Sequence, residues 1–195
     1  MTFHNIEQNT DEWSRLRAGK FTASTFKDIM AKETTLSHTN AIYQVVFERL
    51  TQEQVKSFTN EWMERGKELE PHARLWYELN HSDVLNGGFF CDDWIGASPD
   101  GLVREDGLVE IKCPKYSTQI QYLLDKKLPT NYKWQIQGQL YVTDRKWCDF
   151  VSYHPKLPAF IKRVERDSMS IALLSDAIDQ SIKKAKSIIK QLEVK

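Results

Sequence analysis

The sequence predicts an α/β fold: a small mixed central β-sheet flanked by helices, with helical additions at the N-terminus and a long helix at the C-terminus. Three observations lead there. The first eighty residues carry helix caps and apolar residues at helical spacing. The stretches 84–113 and 147–165 break into short apolar runs bounded by Gly, Pro, Asn and Asp, and Ser168 to Leu192 is amphipathic at helical period. With 41% hydrophobic residues over 195 positions the chain can bury one sizeable core, so residues 1–195 read as a single domain.

In order, a first helix starts at Asn9-Thr10-Asp11, where a short polar side chain can accept a free first-turn N–H, and ends at the turn Ala18-Gly19-Lys20. A second helix is capped near Thr22 or Ser24, and a third covers Asn40 to Leu50. Asn60 to Asn80 is helical, with Pro71 as a kink or break because it lacks the N–H. Val84 to Val109 reads as strands and turns, with Asn86-Gly87-Gly88 as a hairpin signal. Ala97 to Val103 and Leu108 to Cys113 form a hairpin across Arg104-Glu105-Asp106-Gly107. Ser117 to Asp125 and Tyr132 to Val142 are helices, Trp147 to Tyr153 and Ala159 to Glu165 are strands, and Ser168 to Leu192 closes the chain.

That second hairpin carries the chemistry: Ser98-Pro99-Asp100-Gly101, then Val109-Glu110-Ile111-Lys112-Cys113-Pro114. Alternate residues of a strand share a face, so Glu110 and Lys112 point one way while Val109, Ile111 and Cys113 point into a core. Asp100 at the far end of the pair can approach Glu110. Two hard carboxylates suit magnesium, which keeps several waters and completes its shell with substrate phosphate, and Lys112 would stand beside the attacking water. Each residue also has a plain structural explanation. Pro-Asp-Gly is a common turn, and Glu-x-Lys is often a solvated strand face.

Composition narrows the alternatives. The formal net charge is zero, but residues 1–112 hold 12 Lys/Arg against 19 Asp/Glu while 113–195 hold 15 against 8. A carboxylate-rich half suits metal and a basic half suits phosphate, although Lys183, Lys184, Lys186 and Lys190 read as a solvated helix face. Cys91, Cys113 and Cys148 are scattered and odd in number, which disfavours a disulfide framework or an iron–sulfur cluster, and His4, His38, His72, His81 and His154 have no zinc spacing. No apolar run is long enough to span a membrane and Met1 to Glu7 lacks signal-peptide character, so a cytoplasmic protein is expected.

The chain resembles the phage lambda-type exonucleases, the YqaJ-like viral recombinase family within the PD-(D/E)xK nuclease superfamily. Four blocks in the same order carry the resemblance: Trp13 to Ser24; Gly66 to Glu70 with Ala73-Arg74; Ser98 to Leu102 with Glu110 to Pro114; and Gln135-Ile136-Gln137 with Tyr141-Val142-Thr143. The resemblance implies a restriction-endonuclease-like core and a 5′→3′ exonuclease on linear double-stranded DNA that releases mononucleotides and leaves a 3′ single-stranded tail. Asp100 and Glu110, with the Ile111 backbone carbonyl, would hold Mg2+, two ions in all, with Mn2+ able to substitute. Lys112 would orient or deprotonate the attacking water, the latter only with a lowered pKa. Glu70 would serve the second metal or the water, unless it is a surface residue paired with Arg74 at i+4.

The resemblance also assigns Arg17, Ser24, Ser98 and Gln137 to a 5′-phosphate pocket, where a guanidinium fork, two hydroxyls and an amide can share the phosphate oxygens. Individually these could be an ion-pair partner, a helix cap, a backbone partner and a turn cap. Met63 matches a wedge between the strands, or helix core. Implied partners are DNA ends, a homotrimeric ring of the same chain and a single-strand annealing recombinase acting on the 3′ tail, with no membrane. The same core also serves structure-specific and restriction-type endonucleases, and a silent DNA-binding scaffold is a further alternative. Thr34 to Asn60 and the C-terminal helix match no motif. Lys112→Ala is expected to stop cleavage while leaving the fold intact.

Overall fold

The computed structural model describes residues 1–55 and 61–193. In chain order its elements are β1 (Thr2–His4), α1 (Asp11–Arg17), β2 (Phe21–Thr22), α2 (Phe26–Ile29), α3 (Leu36–Thr51), α4 (Glu61–Asn80), β3 (Val84–Asn86), β4 (Phe89–Cys91), β5 (Ile95–Ala97), β6 (Gly101–Val103), β7 (Gly107–Lys112), α5 (Tyr116–Asp125), α6 (Lys133–Thr143), β8 (Trp147–His154), β9 (Leu157–Glu165) and α7 (Ser168–Glu193). Single 3₁₀ turns at Ala23–Thr25 and Thr130–Tyr132 lead into α2 and α6.

Local chemistry accounts for several boundaries. Thr10 caps α1 by accepting the Trp13 N–H at 3.2 Å, and Thr35 caps α3, which therefore begins four residues before the expected Asn40. The chain leaves α1 through Gly19 at φ +70°, a left-handed conformation that glycine adopts without a Cβ clash. α4 runs unbroken through Pro71; the expected start at Asn60 lies outside the described residues.

The mixed sheet is present, with order β3-β6-β7-β8-β9; β7 and β8 are parallel and the other neighbours antiparallel. A second mixed sheet, order β1-β4-β5-β2, was not expected. It corrects two local assignments. Ala97 to Val103 is not one strand: β5 belongs to the second sheet and β6 to the first, and Ser98-Pro99-Asp100 is the crossing between them. Proline cannot donate to a ladder, which favours a break there. Likewise Asn86-Gly87-Gly88 joins β3 to β4 in different sheets and makes no hairpin. A Cβ on Gly87 would stand 1.8 Å from the Pro99 carbonyl oxygen, so the two crossings pack backbone to backbone.

The five-stranded sheet lies between two helices. On one face Ala73 and Tyr77 of α4 pack on Val103, Val109, Ile111 and Val151; on the other Ile136 and Leu140 of α6 pack on Leu102, Leu108 and Phe150. Both faces of β7 are thus covered, not one as the alternation suggested. Phe21, Phe26, Ile42, Val46, Leu174 and Ile178 form a further cluster that joins α2, α3 and α7 to the second sheet. Among the described residues no helix is long and apolar enough to cross a membrane.

One buried polar contact fixes α4 on the sheet. Asp149 on β8 accepts the Tyr77 hydroxyl at 2.7 Å and both Nε and Nη2 of Arg163 on β9 at 2.8 Å. Tyr77→Phe keeps the ring and removes this bond to a charged acceptor, so urea denaturation is expected to show a loss of about 1–2 kcal/mol. An unchanged midpoint would mean that Arg163 alone satisfies Asp149.

Candidate active site

Asp100 stands where the chain enters β6, and its Oδ2 accepts the Ile111 N–H at 2.6 Å. The register that pairs Gly101 with Val109 brings the crossing beside β7. Glu110 on β7 is 1% exposed, and three donors converge on it: Lys112 Nζ and Gln135 Nε2 on Oε1, and Gln139 Nε2 at 2.6 Å on Oε2. Glu70 comes from α4, half-buried, and lines a cleft of about 440 Å³ with Asp100, Lys67, Arg74, Asn86, Pro71 and the loop Glu7-Gln8-Asn9. Arg74 pairs with Glu78 at 3.3 Å, not with Glu70, which removes the ion-pair explanation for Glu70.

The electrostatics reflect that crowding. Burial first, then repulsion from Glu110, raises the Asp100 carboxyl well above its ordinary pKa, with Lys112 and the Ile111 N–H opposing. Burial also raises Glu70, with Lys112 opposing and Glu110 adding to the rise. For Lys112 burial acts to lower the pKa, but Glu110 and Asp100 override it and hold the amine above its usual value. Paired with Glu110 in this way Lys112 is a charged donor, which suits orienting a water, whereas acting as a base would need its pKa lowered. The Cys113 thiol, pushed up to about 12 by burial and Glu70, stays protonated at neutral pH.

Among the described residues no group of three or more His, Cys, Asp and Glu side chains forms an all-protein metal cage. Mg2+ does not require one, because one or two carboxylates with water and substrate phosphate complete its shell. Asp100, Glu110 and the Ile111 carbonyl fit that role as hard oxygens. The raised Asp100 and Glu70 carboxyls mark negative charge that a divalent cation would balance.

Three of the four expected phosphate ligands are linked. Arg17 Nη2 reaches Thr22 Oγ1 at 3.4 Å and Ser24 Oγ at 3.5 Å, and its guanidinium lies 4.2 Å from the Trp13 ring centroid. Trp13 Nε1 donates to Ser98 Oγ at 2.7 Å, two residues from Asp100. Gln137 does not join them. Its Nε2 donates to the Glu165 carbonyl at 2.8 Å and its Oε1 accepts the Asp167 N–H at 2.9 Å, so the amide is spent tying α6 to the β9–α7 junction. The site-facing glutamines are Gln135 and Gln139, which sequence reasoning missed as partners of Glu110; their i,i+4 spacing on α6 was the available signal. Met63 lies in α4, but its side chain is outside the described residues.

The fold class is that of phage-type exonucleases. A phage-related exonuclease from Haemophilus somnus 129PT matches with a TM-score of 0.73 at 14% identity, over 92% of this chain and 99% of that one, which establishes the common fold. An alkaline exonuclease, LHK-Exo, from Laribacter hongkongensis is similar with a TM-score of 0.88 and 38% identity over 94% of this chain and 96% of that one, and its complex with dAMP gives the same values. The family model for the YqaJ-like viral recombinase domain matches residues 12–146. The chain belongs to the YqaJ-like viral recombinase family. No curated protein matches the sequence.

Proposed function

We propose that the protein is a magnesium-dependent 5′→3′ exonuclease on linear double-stranded DNA, releasing mononucleotides and leaving a 3′ single-stranded tail for phage-type recombination by strand annealing. The observation that carries this reading is the meeting of Asp100, Glu110 and Lys112 with Glu70 beside one cleft, linked through Ser98 and Trp13 to Arg17. The 38% identity to an alkaline exonuclease solved with dAMP supports it.

Asp100, Glu110 and the Ile111 carbonyl would hold one Mg2+ and Glu70 a second, with Mn2+ able to substitute. Bound metal would supply Lewis-acid stabilisation of the attacking and leaving oxygens. Lys112 orients the attacking water through its amine, while Gln135 and Gln139 hold the Glu110 carboxylate in one orientation. Arg17, Ser24 and Ser98 take the terminal phosphate, the guanidinium fork matching two of its oxygens. The same proposal includes one domain over residues 1–195, a ring of three copies around DNA, a single-strand annealing partner and action in the cytoplasm.

The test is a linear duplex with a 5′-phosphate at one end and a 5′-hydroxyl at the other, incubated with Mg2+ or with EDTA. Mononucleotides released from the phosphorylated end in Mg2+ alone are expected, and Arg17→Ala should erase the end preference. Internal fragments would replace this reading with a structure-specific endonuclease. Binding without cleavage would replace it with a silent scaffold.

A further inference from the structure

α3 carries none of the four motif blocks, yet its last turns hold the peptide that follows Arg17, and its Gln44 and Glu48 line one small cavity with Arg17 and Thr22. The Glu48 carboxylate is 5% exposed. Its Oε2 accepts the Gly19 N–H at 2.7 Å, and its Oε1 accepts Gln44 Nε2 at 3.0 Å and the Val55 N–H at 3.1 Å. The next residue, Arg49, donates Nε to the Gly19 carbonyl at 2.7 Å. Both backbone polar groups of Gly19 are thus held by consecutive residues of one helix. Arg49 is itself fixed, by the Asp93 carbonyl and by the Trp94 ring, whose centroid lies 3.5 Å from its guanidinium carbon. Gly19 has no room for a side chain, since a Cβ would stand 2.8 Å from Arg49 Cγ.

Arg17 lies two residues before this clamped peptide. Burial pulls its guanidinium down to about 10, with Glu48 opposing, so it remains charged at neutral pH. Among the described residues it forms no ion pair, and its nearest polar partners are the two hydroxyls of Thr22 and Ser24. Glu48 therefore supplies countercharge without occupying the fork. A guanidinium recognises phosphate through a planar pair of N–H groups, so its value as a ligand depends on how well its backbone is fixed.

We propose that Glu48 and Arg49 are positioning residues for DNA-end recognition: their clamp on the Gly19 peptide aims Arg17, so that discrimination between a 5′-phosphate and a 5′-hydroxyl end depends on α3. This rests on the reading of Arg17 as a terminal-phosphate ligand. Glu48 and Arg49 act through the Gly19 turn.

The test is a competition between two differently labelled duplexes, one 5′-phosphorylated and one 5′-hydroxylated, degraded by the full-length protein, by Glu48→Gln and by Arg49→Lys. Both rates come from the same folded molecules, so any loss of stability cancels in their ratio. The phosphate preference is expected to fall about fivefold or more in each variant, the scale on which small misplacements of a binding group act. Arg49→Lys keeps the charge and opens the clamp from the carbonyl side, whereas Glu48→Gln removes an anion and opens it from the N–H side. A fall in both therefore identifies the clamp as the cause. A wild-type preference retained within about twofold in either variant overturns the proposal. A wild-type ratio near one overturns the Arg17 reading instead, and this inference with it.

Discussion

Asp100→Asn is expected to stop cleavage and, in the same molecule, to stabilise the metal-free fold. Asp100 sits in the strand crossing with its Oδ2 on the Ile111 N–H, under repulsion from Glu110 and Glu70. Its folded-state pKa is raised above the unfolded value, so folding takes up protons. The stability this group contributes is present below the unfolded pKa of about 3.9 and is lost as pH rises through the higher folded value. Glu70 is raised too and acts in the same direction. Asparagine keeps an acceptor for Ile111 and discards the charge. In EDTA at pH 8 the variant should exceed wild type by about 1–2 kcal/mol, a gain typical of relieving a strained functional site, and the difference should vanish toward about pH 4. Adding Mg2+ should raise the wild-type Tm and leave the variant nearly unmoved, while turnover falls by about a thousandfold or more as transition-state charge loses its stabilisation. Thermal melts at the two pH values, with and without Mg2+, check all three. A variant less stable than wild type at pH 8 would mean that the Asp100 hydrogen bond outweighs the repulsion around it.

Much of this site was legible because its information is local. Strand alternation put Glu110 and Lys112 on one face, and the pair does meet there. Thr10 at the start of α1 and the apolar periodicity of α7 likewise depend on residues a few positions apart. The second sheet was hidden for the opposite reason. β1 and β2 hold three and two residues, too few for alternation to register, and their partners lie about seventy or more positions along the chain, Phe21 against Ile95 and Thr2 against Cys91. The glutamines show where a short motif loses resolution. Gln135, Gln137 and Gln139 are equivalent as a string, but the 3.6-residue period turns the first and last toward Glu110 and leaves Gln137 to the Glu165 and Asp167 backbone. The state of Lys112 was equally out of reach, since Glu-x-Lys spacing does not say whether the amine is desolvated alone or desolvated against an anion.

That last difference changes what Lys112→Ala is expected to do to the fold. Had the amine stood free beside a water, its loss would cost activity and little else. It is instead paired with a carboxylate that is 1% exposed, and removing one partner of a buried pair leaves the other uncompensated. Two features limit the damage: Lys112 keeps 28% of its side chain exposed, and Gln135 and Gln139 still donate to Glu110. The metal-free variant should therefore lose about 2 kcal/mol, short of the ~3–5 typical when a fully buried pair is broken. Cleavage should fall by about a hundredfold or more with the loss of the group proposed to orient the water. Mg2+ should restore most of the lost stability and none of the lost rate. Asp100→Asn and Lys112→Ala thus move activity in the same direction and metal-free stability in opposite directions. General damage to the fold would give two losses of stability, so the opposed signs isolate charge balance at the site as the cause. A Lys112→Ala protein as stable as wild type in EDTA would show instead that solvent, not Lys112, compensates Glu110.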